Sequence, residues 1–337
     1  MATRRYVVIG AGAVGGVLVG QLVDAERRDR DVVLVARGDH GRLIAQQGLT
    51  VRRPTGAQVV PVSVAAGPDD LRLHEGDVLV LTVKTQDVEA ALSQWAWQPV
   101  HDEGGSVSGV AADLPLLTFQ NGMLSEDLAL RRFRTVYGAT IAIAASYLTP
   151  GEVVSPSLPP AVGAVWLGRY PSGRDALQGQ IVDDLVSAGF RAWSVDDIVA
   201  HKAAKLVANV ANGLDLLTGT DEQLARARVE LRDEAVSVLT GAGVSLTTLD
   251  FHGVQLEILP VDGHVPGRLS TWQSFARGAS SEVDYLNGEI VLLARRAGLA
   301  APLSERLQRM LGAPGPATDR TVEALLAAAV DAVAVPA

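Results

Sequence analysis

Lys205, Asn209 and Asn212 stand at i, i+4 and i+7. On a helix that spacing sets one cation and two amides along one face, with Leu206, Val207 and Val210 free to meet a core. An ammonium so placed can stabilise a developing oxyanion and then protonate it, while the amides hydrogen-bond oxygens of a small substrate. A solvated lysine beside amides that cap or bridge helices fits the same pattern, and the residues alone leave both readings open. Further on, Ser270-Thr-Trp-Gln273 has capping-box spacing, so Ser270 starts a helix whose free N–H groups suit a carboxylate. Ser281-Glu-Val-Asp284 reads as another helix start. Glu282 there is either an acid partner for Lys205 or a substrate hydroxyl, or simply a charge against the helix dipole. His201, four residues before Lys205, is a reserve acid–base group. None of the six histidines has metal-ligand spacing, and no metal is expected.

A second cluster lies at the N-terminus. Gly10-Ala11-Gly12-Ala13-Val14-Gly15 fits G-x-G-x-x-G directly after an apolar run, Tyr6–Ile9, and before a helical stretch, Val14–Val23. In that setting the first glycine permits the tight turn, the second lets backbone approach a pyrophosphate, and the third lets helix and strand pack closely. The helix start adds free N–H groups and partial positive charge. The next apolar run, Asp31–Ala36, ends on Arg37 and not on the acid that binds the ribose 2′-hydroxyl of NAD. A guanidinium can pair with a 2′-phosphate, so the expected cofactor is NADP, used as NADPH.

These groups need a scaffold. Val78–Val83, Leu114–Phe119 and Val136–Ala145 repeat the apolar, β-branched texture of the first two runs, with helical stretches between them. Such runs predict a parallel sheet covered on both faces. Val51 and Gln58–Val64 flank Pro54-Thr-Gly56, which reads as a hairpin. Residues 98–113 read as a polar surface insertion, and 151–173 as a loop with a further antiparallel strand pair. After Asp196 helical periodicity takes over. The expected fold is α/β: a Rossmann-type doubly wound sheet over residues 1–195, then an all-helical domain over 196–337.

A chain of 337 residues exceeds what one hydrophobic core supports, which agrees with two domains. The net charge of −9 argues against nucleic-acid binding. With no cysteine, disulfides, thiolate catalysis and thiolate metal sites are excluded. No apolar run reaches the ~20 residues that span a bilayer, and the first residues lack a signal-peptide pattern. A cytoplasmic protein is therefore expected. The apolar helices of the second half leave room for a homodimer.

Six segments together resemble the ketopantoate reductase family: Gly10-Ala-Gly-Ala-Val-Gly-Gly16, Ala36-Arg-Gly-Asp-His40, Val83-Lys-Thr-Gln86, Gln120-Asn-Gly-Met123, Lys205-Leu-Val-Ala-Asn209 and Glu282-Val-Asp-Tyr-Leu-Asn-Gly288. The resemblance runs from residue 8 to about residue 305. It implies a Rossmann domain and a helical domain with the active site between them. It also implies NADPH-dependent reduction of 2-dehydropantoate to pantoate, a step of pantothenate biosynthesis. By the same resemblance Lys205 is the catalytic lysine and Glu282 the acid of the site. Asn209 and Ser270 contact the substrate, and Lys84 and Asn121 line the nicotinamide side. Asn212 is the second amide, seven residues after the lysine where some members have eight; Gly213 fills that later place. A family member acting on another small 2-oxo acid, and a non-catalytic NADP-binding sensor, are the alternatives.

Overall fold

A computed structural model describes residues 4–23, 30–158, 161–264, 282–313 and 320–333. The order begins β1 (Arg4–Ile9), α1 (Ala13–Leu22), β2 (Arg30–Val35), α2 (Gly38–Gln47), β3 (Leu49–Arg53), β4 (Gly56–Val60), β5 (Ser63–Ala65), β6 (Leu73–His74) and β7 (Asp77–Leu81). It continues with α3 (Val88–Trp95), β8 (Pro99–His101), β9 (Val107–Val110), β10 (Pro115–Thr118), α4 (Leu124–Leu130), β11 (Thr135–Ala142), β12 (Glu152–Val154), β13 (Ala164–Arg169), α5 (Ala176–Ser187) and β14 (Arg191–Val195). Helices α6 (Ile198–Asn209), α7 (Asp221–Gly241), α8 (Val283–Ala297), α9 (Pro302–Gly312) and α10 (Val322–Val333) follow.

Contacts divide the described residues into two compact units. One draws on Met1–Gln120, Ser125–Ile198 and Asp250–Pro266; the other on Asn121–Leu124, Val199–Leu249 and Gly267–Ala337.

The first unit holds an eight-stranded sheet in the order β14-β13-β11-β10-β7-β1-β2-β5. The strands from β11 to β5 are parallel, β13 runs antiparallel to β11, and β14 is parallel to β13. Continuous apolar strands suit this sheet because both of its faces are buried. Tyr6 and Val8 of β1 join α1, α2 and α5 through Val17, Leu18, Ile44 and Ile181. Val7 and Ile9 join α3 and the end of α4 through Val88, Leu92, Ala129 and Phe133. Period-two alternation thus feeds two separate cores from one strand.

The hairpin around Pro54 forms as β3 and β4, closing at Arg53 opposite Gly56. Val64 leaves it, because β5 pairs parallel with β2 at the edge of the main sheet. Residues 98–113 are more than an insertion loop: β8 and β9 pair with β6 in a small sheet. Residues 151–173 are corrected as well. β12 pairs parallel with β3, and β13 extends the main sheet, so they form no strand pair with each other. Runs of three to six residues carry no pairing information, and burial against distant strands decides it.

The second unit is helical. Thr220 and Gln223 cap α7 reciprocally: the hydroxyl of Thr220 accepts from the Gln223 N–H, and the amide oxygen of Gln223 accepts from the Thr220 N–H. Pro302 opens α9, and the next two N–H groups, of Leu303 and Ser304, donate to the Glu234 carboxylate, each at 2.8 Å. Its core gathers Leu206, Val210, Leu231, Leu286, Ile290 and Leu307, among others. The stretch Asp250–His264 carries no helix. It belongs with the sheet unit, held by an antiparallel bridge of Ile258 to Ser157 and by Phe251 edge-on to Trp166. No helix among the described residues is long and apolar enough to cross a membrane.

Candidate active site

Three neighbouring parallel strands, β7, β1 and β2, end at the same edge of the sheet. Lys84, Gly10 and Arg37 follow their ends. Gly10 has φ +116°, and a Cβ there would sit 2.7 Å from the Val83 nitrogen, so only glycine makes this turn. A Cβ on Gly15 would lie 2.0 Å from the Gly10 carbonyl oxygen, and its absence lets α1 start directly against the loop. Gly12 is the N-cap of α1, lacks a side-chain cap, and borders open space where a Cβ would stand. No acid occupies the first turn of α1. Its N–H groups and positive end therefore remain available to an anion. Ala11, Ala13 and Val14 are half-buried around this cradle. Its shape and polarity fit a dinucleotide pyrophosphate.

Arg37 is exposed at the N-cap of α2, and its guanidinium forms no ion pair among the described residues. Lys84 is half-buried at the cap of a single turn, Thr85–Asp87. Gln120, after β10, donates to the carbonyls of Leu81 and Val83 at 2.8 and 3.0 Å and ties down the backbone beside Gly10.

The helical unit carries the other residues. Lys205 and Asn209 lie four apart on α6. Lys205 is half-buried, and burial holds its ammonium below the usual lysine range. Asn209 is only 6% exposed and donates through Nδ2 to Oδ1 of Asn121 at 3.0 Å, over a sequence distance of 88 residues. Gly122 makes that approach feasible, since a Cβ on it would lie 2.6 Å from the Tyr285 carbonyl oxygen of α8. Glu282 is buried at the N-cap of α8, yet its carboxylate does not cap the helix. At that position its charge also faces the positive end of the helix, as the local pattern allowed.

Asn212 corrects the reading of one continuous helical face. The α-helix ends at Asn209, and Asn212 opens a short 3-10 segment, Asn212–Leu216. The i+7 relation then no longer aligns it with Lys205, although it stays buried. A Cβ on Gly213 would stand 2.6 Å from the tip of Leu311, so a larger residue there requires Leu311 to shift. Asn287 is a residue that spacing missed. It is buried and donates to the Val210 carbonyl at 3.0 Å, satisfying a group freed where α6 ends. Its presence in the Glu282–Gly288 motif was the available signal. Ser270 lies outside the described residues. His201 is half-buried on α6. Among the described residues no three His, Asp or Glu side chains gather as a metal site.

Two family models match in series: ketopantoate reductase PanE/ApbA over residues 6–171, and its C-terminal counterpart over 197–314. The chain belongs to the ketopantoate reductase family. It is an oxidoreductase with the α/β and helical organisation of that family. The 2-dehydropantoate 2-reductase of Pyrococcus horikoshii is 24% identical over 89% of this chain and 94% of its own. That of Mesorhizobium japonicum is 28% identical over 86% and 91%. A crystal structure of a PanE/ApbA family ketopantoate reductase from Ralstonia eutropha matches with TM-score 0.71 at 23% identity, covering 91% of this chain and 97% of that one. D-mandelate dehydrogenase, in a ternary structure with NADH and anilino(oxo)acetate, matches the fold with TM-score 0.73 at 20% identity over 92% and 97%. Proteins that share this fold are thus named for more than one substrate.

Proposed function

We propose that the chain reduces 2-dehydropantoate to pantoate with NADPH, and that residues 1–195 bind the cofactor while 196–337 bind the substrate and protonate it. The observation that carries this reading is Lys205, a half-buried ammonium of lowered pKa one helical turn before the buried Asn209. The backbone from Gly10 to Gly15 would hold the pyrophosphate, Arg37 the 2′-phosphate, and Lys84 and Asn121 the nicotinamide side. When bound, NADPH supplies the hydride. Lys205 hydrogen-bonds the ketone oxygen, stabilises the negative charge that grows on it, and gives up a proton to make the alcohol. Ser270 binds the carboxylate. Asn209, Asn212 and Glu282 meet the remaining oxygen, the 4-hydroxyl.

Buried polar groups left without a partner cost about 1–3 kcal/mol, so a site built around a hydroxyl discriminates against a substrate lacking one. The measurement is kcat/KM for ketopantoate, its 4-deoxy analogue and a panel of simple 2-oxo acids, followed by NADPH oxidation. Ketopantoate is expected to exceed the deoxy analogue by roughly tenfold or more. Equal values would refute the hydroxyl contact. They would favour the second reading, a different small 2-oxo acid, which the displacement of Asn212 from α6 supports.

A further inference from the structure

His40 stands three residues after Arg37 and is buried. Its Nε2 lies 2.8 Å from the carbonyl oxygen of Ala11, in the middle of the glycine loop. Its Nδ1 accepts the Gly151 N–H at 2.7 Å. A carbonyl only accepts and an amide N–H only donates, so these partners fix the neutral ring with its proton on Nε2. Tyr147 packs on the ring with centroids 4.4 Å apart, and the Gly151 carbonyl accepts from the Thr50 N–H at 3.0 Å. The ring and its Gly151 anchor are thereby held. On the other side of the loop, the Thr82 hydroxyl donates to the Gly10 carbonyl at 2.6 Å.

A trans peptide is planar, and its C=O and N–H point in opposite directions. A donor that fixes the Ala11 carbonyl therefore also fixes the Gly12 N–H, and Thr82 does the same for the Ala11 N–H through the Gly10 carbonyl. We infer that His40 is a positioning residue for the cofactor: by holding the Ala11 carbonyl it orients the Gly12 N–H of the phosphate loop. This rests on the dinucleotide reading of the loop proposed above. Few side chains could replace it, since the ring offers a donor on one edge and an acceptor on the other.

Two substitutions separate the edges. His40→Gln sets an amide N–H where Nε2–H stood and keeps the bond to Ala11. His40→Asn sets an amide oxygen where Nδ1 stood and keeps only the bond to Gly151. NADPH titration of the full chain by calorimetry, with Tm measured alongside, is expected to give a Kd about tenfold weaker for His40→Asn and within about threefold of the parent for His40→Gln. Equal Kd values for the two variants, whether unchanged or weakened in step with Tm, would overturn the assignment. Should His40→Asn fail to fold, nitrogen-15 NMR of the parent decides: the Nε2–H tautomer supports the inference and the Nδ1–H tautomer overturns it. A parent chain that binds neither NADPH nor NADH would instead overturn the dinucleotide reading itself.

Discussion

The glycine loop and the Lys205 helix are built by opposite means. The loop presents backbone N–H groups from six consecutive residues between one strand and one helix. The amine and amides of the helical unit are side chains, two on α6 and others on separate segments, and Asn121 reaches Asn209 across 88 residues of sequence. At Gly10 and Gly15 the loop has no space for a side chain, whereas Lys205 and Asn209 contribute functional groups. A site made of backbone fails when it is crowded, and a site made of side chains fails when a functional group is removed.

Replacing Lys205 by Ala tests the side-chain half most severely. Loss of a general acid costs about 10²–10⁴-fold in rate, so kcat is expected to fall by that factor while the Kd for NADPH holds. A kcat within a few-fold of the parent would remove Lys205 from the chemistry. Gly15→Ala is the corresponding attack on the backbone half. The new methyl would meet the Gly10 carbonyl oxygen at 2.0 Å and the Thr82 hydroxyl at 2.5 Å, so the loop must open. NADPH affinity is expected to drop about a hundredfold, with stability lower by about 1–3 kcal/mol; calorimetry and thermal unfolding report both.

Arg37→Ala removes a side chain from a site otherwise made of backbone. Hydrogen bonds to a charged group contribute about 1.5–3 kcal/mol, so KM for NADPH is expected to rise about 10–100-fold and KM for NADH to change little. Equal changes for both cofactors would dissociate Arg37 from the 2′-phosphate. The smallest effect is in the pH profile. Burial lowers the pKa of Lys205, and a general acid works only while protonated. Activity is thus full below that pKa and declines above it, by up to about tenfold per pH unit, starting below the range of an exposed lysine. An alkaline limb in kcat/KM that sits at the ordinary lysine value would contradict the burial.

Much of the sheet unit was legible beforehand, because apolar β-branched runs, glycine spacing and Arg37 after β2 are local features. The hairpin around Pro54 and the helix after Gly12 were legible for the same reason: turn and cap chemistry act over a few residues. The helical unit was legible as helices and as a family motif, but less so as a site. Seven-residue spacing promised a shared face for Lys205 and Asn212, and the end of α6 at Asn209 broke it.

Local sequence was enough to set where the glycine loop stands, where α1 and α7 begin, and that one cation lies a helical turn from one amide. Those outcomes depend on steric limits and hydrogen bonds within a few residues of chain. Packing in three dimensions set that Asn121 joins Asn209, that Asn287 satisfies the end of α6, that His40 grips Ala11, and that residues 250–264 return to the sheet unit. Each of these is a group that is at least partly buried, or a backbone segment, finding a partner well outside its own stretch of chain. Its energy comes from exclusion of water at that place in the fold, which no local spacing encodes.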